Sequence, residues 1–245
     1  MTDDAVPLRW SMVVQSLTRP YAVSVWMVLL VSLVPFYIFI AEWTEDRVHH
    51  VPAIALDRAI PLVPAWALLY GALYLFLILL PVFVVRQEDH IRQTVFAYLS
   101  IWITAYVCFL LYPTMALRPA IISGNGFAAW GLRFLYGADP PFNCFPSLHV
   151  AHSFVSALTS YRVNRSLGFG SIVCASLVGV STLYTKQHYL ADVIAGILLA
   201  CVAYVFFLRN VNVPPIDRRL APMLALTVAG IVAILFAGSL AAFSL

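Results

Sequence analysis

The sequence predicts an all-α fold, a polytopic helical bundle embedded in a membrane. Three observations carry this: a shortage of charge, seven long apolar stretches, and no alternating strand pattern. Of 245 residues, 62% are hydrophobic and 10% charged. A soluble domain carries roughly 25% charged residues, and a larger core cannot absorb the deficit, because a fold of this size still needs a wettable surface. A spanning helix needs about 20 mostly apolar residues. Stretches suited to it cover residues 22–41, 62–85, 94–112, 146–161, 169–184, 189–208 and 221–243, the fourth and fifth being short. Barrel strands alternate and are about half as long. The expectation is six core transmembrane helices and one extra C-terminal helix, with 1–245 as one membrane-embedded domain.

The first stretch follows Asp3, Asp4, Arg9 and Arg19, and no small-residue cleavage site comes after it. It is expected to stay as an anchor and not to be removed as a signal peptide. Cys108, Cys174 and Cys201 fall within proposed spans and read as small buried hydrophobes. Cys144 falls in a loop without an obvious partner. No CxxC or Cys/His spacing suggests a structural zinc. The net charge of +3 is small and dispersed, which argues against nucleic acid. Its distribution is more informative. Arg9, Arg19, Arg86, Arg92, Arg162, Arg165, Arg209, Arg218 and Arg219 fall on the N-terminal side, against Arg47, Arg58, Arg118, Arg133 and Lys186 opposite. The positive-inside bias then places the N-terminus in the cytoplasm, with a bacterial inner membrane as the expected setting.

Two loops on the outer side concentrate polar groups. One runs from Tyr112-Pro113-Thr114 through Arg118-Pro119 to Asn143-Cys144-Phe145-Pro146-Ser147-Leu148-His149. The other is the short join Thr185-Lys186-Gln187-His188-Tyr189 before the sixth span. Four residues separate His188 from Asp192, which puts both on one face of a helix. A carboxylate in an apolar span costs on the order of 2.5–3.5 kcal/mol by insertion scales, so Asp192 needs a partner, and His188 is within reach. A carboxylate on one ring nitrogen fixes the tautomer and leaves the other as nucleophile or base. A polar pair stitching two helices is the alternative.

Pro146 suits a first helical position, which puts Ser147 and His149 in the first turn. The free N–H groups there favour an anion, although a buried, satisfied histidine is equally compatible. His152 and Ser153 lie one turn deeper and read as packing groups. Arg118 is either a snorkelling cation or a fork for phosphate oxygens, and Lys186 carries the same two readings. Arg133 lies in 128–136, a stretch suited to an interfacial helix, where lipid contact is expected. His49 and His50 read as a solvated face, and Gly124-Asn125-Gly126 as a turn. The joint placement of His149, His188, Asp192, Arg118 and Lys186 on one membrane face points to phosphate chemistry.

These residues resemble the type 2 phosphatidic acid phosphatase superfamily, which includes vanadium haloperoxidases. Its motifs are Lys-x6-Arg-Pro, Pro-Ser-Gly-His and Ser-Arg-x5-His-x3-Asp. Here they stand as Arg118-Pro119, as Pro146-Ser147-Leu148-His149, and as Ser181, His188 and Asp192 at the family spacing. The resemblance covers about residues 112–196, within a motif-bearing core of about 94–209. Three positions depart: Leu111 for the first lysine, Leu148 for the glycine, and Thr182 for the third-motif arginine. The Pro-Ser-Leu-His form looks like the inositol phosphorylceramide synthase branch, which moves a phospho-headgroup between lipids.

The resemblance implies a metal-independent, cofactor-free enzyme acting on a lipid phosphate in the bilayer. His188 would attack phosphorus to form a phosphohistidine, and Asp192 would orient it. His149 would protonate the leaving oxygen and then activate water or a lipid alcohol acceptor. Arg118, Lys186 and Ser147 would hold phosphate oxygens. Loss of two motif cations tilts the reading toward a singly charged phosphodiester donor and headgroup transfer. Hydrolysis of phosphatidic acid or an isoprenyl diphosphate is the alternative. A non-catalytic transporter is the second alternative, although the ionisable groups lie near one surface and not at the midplane.

Overall fold

The computed structural model describes residues 9–12, 14 and 25–244, and within these every extended element is a helix. The seven long helices fall on the seven apolar stretches: α1 (Val25–Thr44), α3 (Ala65–Val84), α4 (Glu88–Leu111), α6 (Leu148–Val163), α7 (Arg165–Tyr184), α8 (Leu190–Ala203) and α9 (Pro215–Phe243). A single π-helical turn, Tyr204–Leu208, continues α8. Two shorter helices lie in loops, α2 (Ala55–Ala59) and α5 (Phe127–Ala138). Residues 22–24 of the first expected span, with Asp3, Asp4 and Arg19, lie outside the described residues.

By length and apolar composition, five described helices can cross a membrane: α3, α4, α7, α8 with its π-helical extension, and α9. The apolar part of α1, Val28–Thr44, is shorter. So is α6, at 16 residues. The short α6 is rich in serine and threonine, and its position explains why that is tolerated. It packs against α3, α4, α7 and α8, and Ser153, Ser156, Thr159 and Ser160 are all buried in protein. The Ser153 hydroxyl donates to the His149 carbonyl at 2.8 Å, and Ser156 donates across to the Leu77 carbonyl of α3. A polar helix is costly in lipid but not when neighbouring helices surround it. Phe109, Leu77, Ile101, Val150 and Val155 form the main apolar core around it.

Successive long helices run antiparallel, so the loops segregate to two ends. One end gathers 45–64, 112–147 and 185–189; the other gathers 85–87, Asn164 and 209–214. The cysteine expectation is corrected in part: Cys144 is buried, Cys108 and Cys174 are half-buried, and Cys201 is exposed on the outside of α8. A thiol on a lipid-facing surface is small and weakly polar, so the span tolerates it.

Candidate active site

The residues singled out from sequence meet at one end of the bundle, built by two helix starts that touch. Ser147 is the N-cap of α6, and its hydroxyl oxygen accepts from the Val150 amide at 3.3 Å. The helix therefore begins two residues later than a proline at the first helical position would place it, because the serine side chain satisfies an amide that the helix leaves open. His149 falls in the first turn. Tyr189 caps α8, and Asp192 is its third residue, so His188 precedes the helix instead of riding on its face. The Asp192 carboxylate, fully buried, accepts the Tyr189 amide at 2.8 Å. The carboxylate thus sits in the first turn of the span, with a backbone partner besides His188. The helix start supplies a hydrogen bond and the positive end of the dipole, and both favour the anion.

The two starts are drawn together at Gly196. A Cβ there would lie 2.6 Å from the Ser147 carbonyl oxygen and 3.3 Å from the Ala151 amide nitrogen. Only a residue without a side chain lets α8 slide this close to the backbone of α6. The Ser147 amide also donates to the Asp192 carbonyl at 3.1 Å, which ties the two starts directly.

The outcome is a direct contact between two imidazoles: His149 Nδ1 lies 3.2 Å from His188 Nε2. The other nitrogen of His188, Nδ1, lies 3.1 Å from the Cys144 carbonyl and 3.5 Å from Asp192 Oδ2. A carbonyl only accepts. His188 therefore carries a proton on Nδ1, which in the neutral ring leaves a lone pair at Nε2, with His149 Nδ1 as the donor in the contact. The Cys144 carbonyl, nearer than the carboxylate, was not foreseen from sequence. Burial pushes the Cys144 thiol well above its usual range, with Asp192 adding to the rise and Arg118 opposing it. The thiol stays protonated, and its sulfur contacts the Pro141 carbonyl at 3.4 Å.

The cations are arranged differently from the histidines. Arg118 donates to the Asp139 carbonyl at 2.5 Å and to the Pro140 carbonyl at 3.3 Å, and pairs with the Asp139 carboxylate at 3.5 Å. Its guanidinium lies over the Tyr136 ring at 4.7 Å, and its Nε–H is buried with no protein partner. Lys186 sits in the left-handed region at φ 55°. Its ammonium turns away from the histidines to the carbonyls of Asp57, at 2.9 Å, and Ile60, at 2.5 Å, so it caps α2.

Two carboxylates escaped the sequence reading. Asp139 accepts from the Tyr37 hydroxyl at 2.9 Å and the Gln187 amide at 3.1 Å, besides facing Arg118. Asp57 accepts the Leu190 amide at 2.8 Å and the Ile54 amide at 2.9 Å. It therefore bolts the first outer loop to the start of α8. Neither stands at a recognisable spacing from the histidines, and their most distant contacts, Asp139 with Tyr37 and Asp57 with Leu190, span 102 and 133 residues of chain.

Other sequence readings find their places nearby. His49 and His50 are not simply solvated: their rings stack on Phe142 at 4.7 Å and on Tyr112 at 4.2 Å. These contacts pair the loop 45–54 with the motif loop, where the His50 and Met115 backbones also bond. Arg133 bonds the carbonyls of Ile122 and Gly124 and so closes the turn at Gly124, which has φ 97°. Among the described residues no cluster of three His, Cys, Asp or Glu side chains could hold a metal.

No solved structure matches the chain. A PA-phosphatase related-family protein of Dictyostelium discoideum is 27% identical over 130 residues, 48% of this chain and 24% of that protein. An uncharacterized protein of Methanocaldococcus jannaschii is 38% identical over 97 residues, 40% of each chain. The chain thus spans less than half the length of these curated relatives. The family model described as the PAP2 superfamily matches residues 37–206, more than half of the chain, and that interval holds the paired histidines, Asp192 and Arg118. The chain belongs to the PAP2 superfamily.

Proposed function

We propose that this membrane protein transfers a phospho-headgroup from a lipid phosphate through a phosphohistidine on His188. Superfamily membership supports a lipid phosphatase or phosphotransferase function. The observation that carries the finer reading is the His149–His188 contact, with the far nitrogen of His188 held by the Cys144 carbonyl. That arrangement makes Nε2 a nucleophile already in the right tautomer and places a transferable proton beside it.

The substrate phosphorus takes the place of His149 at Nε2 of His188, so one ring swings aside as the lipid binds. His188 Nε2 attacks phosphorus, the bond to the lipid oxygen breaks, and His149 Nδ1–H protonates that oxygen as it leaves. The acceptor hydroxyl then attacks the phosphohistidine, gives its proton to His149, and restores both rings. Asp192 and the Cys144 carbonyl stabilise the Nδ1–H while the His188 ring gains positive charge. Arg118, through its spare Nε–H, and the Ser147 hydroxyl bind phosphate oxygens. Lys186 shapes the turn before His188 and supports the phosphate site at a distance.

Charge favours a phosphodiester donor over a monoester. Arg118 already faces Asp139, and Lys186 is held by carbonyls. Such a site neutralises one negative charge more readily than two. This is the character of the inositol phosphorylceramide synthase-like branch. The acceptor is a lipid alcohol, and the whole chain acts as one domain of six core spans and a C-terminal seventh. It lies in a bacterial inner membrane with the N-terminus cytoplasmic and the histidines outside.

Purified protein incubated with radiolabelled phosphodiester lipid and a lipid alcohol tests the reading. An acid-labile, base-stable adduct, absent in His188→Ala, together with a new phospholipid is the expected result. Free phosphate released from phosphatidic acid, with no headgroup exchanged, replaces transfer by hydrolysis. Absence of any adduct with either lipid class overturns the enzyme.

A further inference from the structure

A second site lies beneath the histidines, on the membrane side of Tyr74. The Tyr74 ring packs edge-on against His149 with centroids 5.2 Å apart, and its hydroxyl lies 3.2 Å from His152 Nδ1. Below this pair, α1, α3 and α4 enclose a cavity of about 470 Å³, with Tyr74 and His152 in its wall. That volume falls in the range of about 300–1,000 Å³ typical of small-molecule sites. Val34, Ile78 and Val95 line it, and its rim is on the outside of the bundle, where Val34 and Ile78 are 50% and 43% exposed. In a spanning protein that surface faces hydrocarbon, so the cavity opens to the bilayer and not to water.

One polar atom in this wall is unexplained. His152 Nε2 is buried and has no protein partner. Its ring is held flat against Trp102, with centroids 5.2 Å apart, and edge-on to Tyr98 at 5.5 Å. Whichever tautomer the Tyr74 bond selects, Nε2 is left as either a donor or an acceptor. A buried polar atom without a partner is costly, and such atoms in proteins commonly mark a ligand contact. Water is a poor occupant of the rest of the space, because a buried water needs two to four polar partners and the lining is otherwise largely apolar.

We infer that this cavity seats one hydrocarbon chain of the lipid alcohol acceptor, and that His152 hydrogen-bonds a hydroxyl or amide near the top of that chain. The inference rests on the reading of His149 and His188 as a phosphotransfer site. It adds a place for the acceptor: Tyr74 is the wall shared by the two sites, so a chain seated below it brings its terminal hydroxyl up to His149. The recognised class is an amphiphile with one long apolar chain and a second polar group close to its reacting oxygen.

Photocapture on the full-length protein in nanodiscs tests this, with two diazirine-bearing C16 probes: a monoacylglycerol, and a hexadecane lacking any polar group. The expected result is monoacylglycerol adducts on α1 and α3 near Val34 and Ile78, captured about tenfold more than the hexadecane. His152→Leu should remove that preference, and Val34→Trp or Ile78→Trp should reduce capture about tenfold, the effect of roughly two lost methylene contacts. Labelling at His188 in the same preparations reports whether each variant is folded and separates the two readings. Phosphohistidine formation with equal capture of both probes, or with capture insensitive to the tryptophans, overturns the acceptor seat. Selective capture without phosphohistidine keeps the cavity as a lipid-alcohol site and overturns the transfer reaction above it.

Discussion

The two ends of the bundle put their buried polar groups to different use. At the end away from the histidines, Asp217 at the start of α9 pairs with Arg86 at 3.4 Å and accepts the Gln87 side-chain amide at 3.1 Å. Arg162 donates to the Val211 carbonyl at 2.7 Å, and the Asn164 side chain donates to the Arg218 carbonyl at 2.9 Å. These contacts join helix ends to one another across the 85–87 and 209–214 connections. The histidine end has ties of the same kind, Arg118 to Asp139 and Asp57 to the start of α8, but it adds two ring nitrogens that are each other's partner. A contact between two imidazoles is easily exchanged for a contact with substrate. Polar groups that join helices hold a fold together, whereas groups that pair only weakly with each other remain available for chemistry.

The sharpest way to break this contrast is to damage each end separately. His149→Ala should reduce turnover by about 10²–10⁴-fold, the usual worth of a general acid–base group, with thermal stability close to that of the parent. Phosphohistidine labelling and a melting curve on the same sample read both effects. Asp217→Ala should do the reverse. It should cost about 2–3 kcal/mol of stability, less than the 3–5 kcal/mol of a fully buried pair because Arg86 is partly open to water. Activity per folded molecule should be retained. A His149 variant that melts early but turns over normally would erase the distinction between the ends.

Gly196→Ala probes the seam itself. The added methyl meets the Ser147 carbonyl at a distance real contacts do not reach, so α8 must move away from α6. A displacement near 1 Å at reacting atoms costs on the order of 10²-fold in rate. Turnover should fall by about that factor, with only a modest shift in melting temperature. Wild-type turnover in this variant would mean that the two histidines need not be held in contact.

Much of this was legible in the sequence, and the remainder was hidden for identifiable reasons. Apolar run length located every long helix, because lipid leaves the chain little alternative to a helix where it crosses. The three motifs marked His149, His188, Asp192 and Arg118 because each is a local spacing. The helix starts were misjudged by about two residues, since Ser147 and Tyr189 act as caps through side-chain and backbone bonds that apolar periodicity does not report. Asp139 and Asp57 were missed because Tyr37, Gln187 and Leu190, which they hold, come from distant parts of the chain, and the Arg118–Asp139 pair, though within one loop, matches no motif spacing. Lys186 was assigned to the phosphate from its nearness in sequence to His188, but its left-handed backbone turns the ammonium to the end of α2.

The smallest effect expected is also the most selective. Asp139→Asn keeps an oxygen for Tyr37 and a polar side chain for Gln187, yet removes the negative charge facing Arg118. If that charge helps exclude doubly charged phosphates, the ratio of kcat/KM for a monoester lipid to that for a diester lipid should rise roughly tenfold, about 1.4 kcal/mol. The direction of the ratio matters more than its size, because a loss of packing would lower both substrates together. A ratio that stays fixed while both rates fall would make Asp139 a scaffold for Arg118 alone. The preference for a phosphodiester would then have to come from the shape of the site and not from its charge.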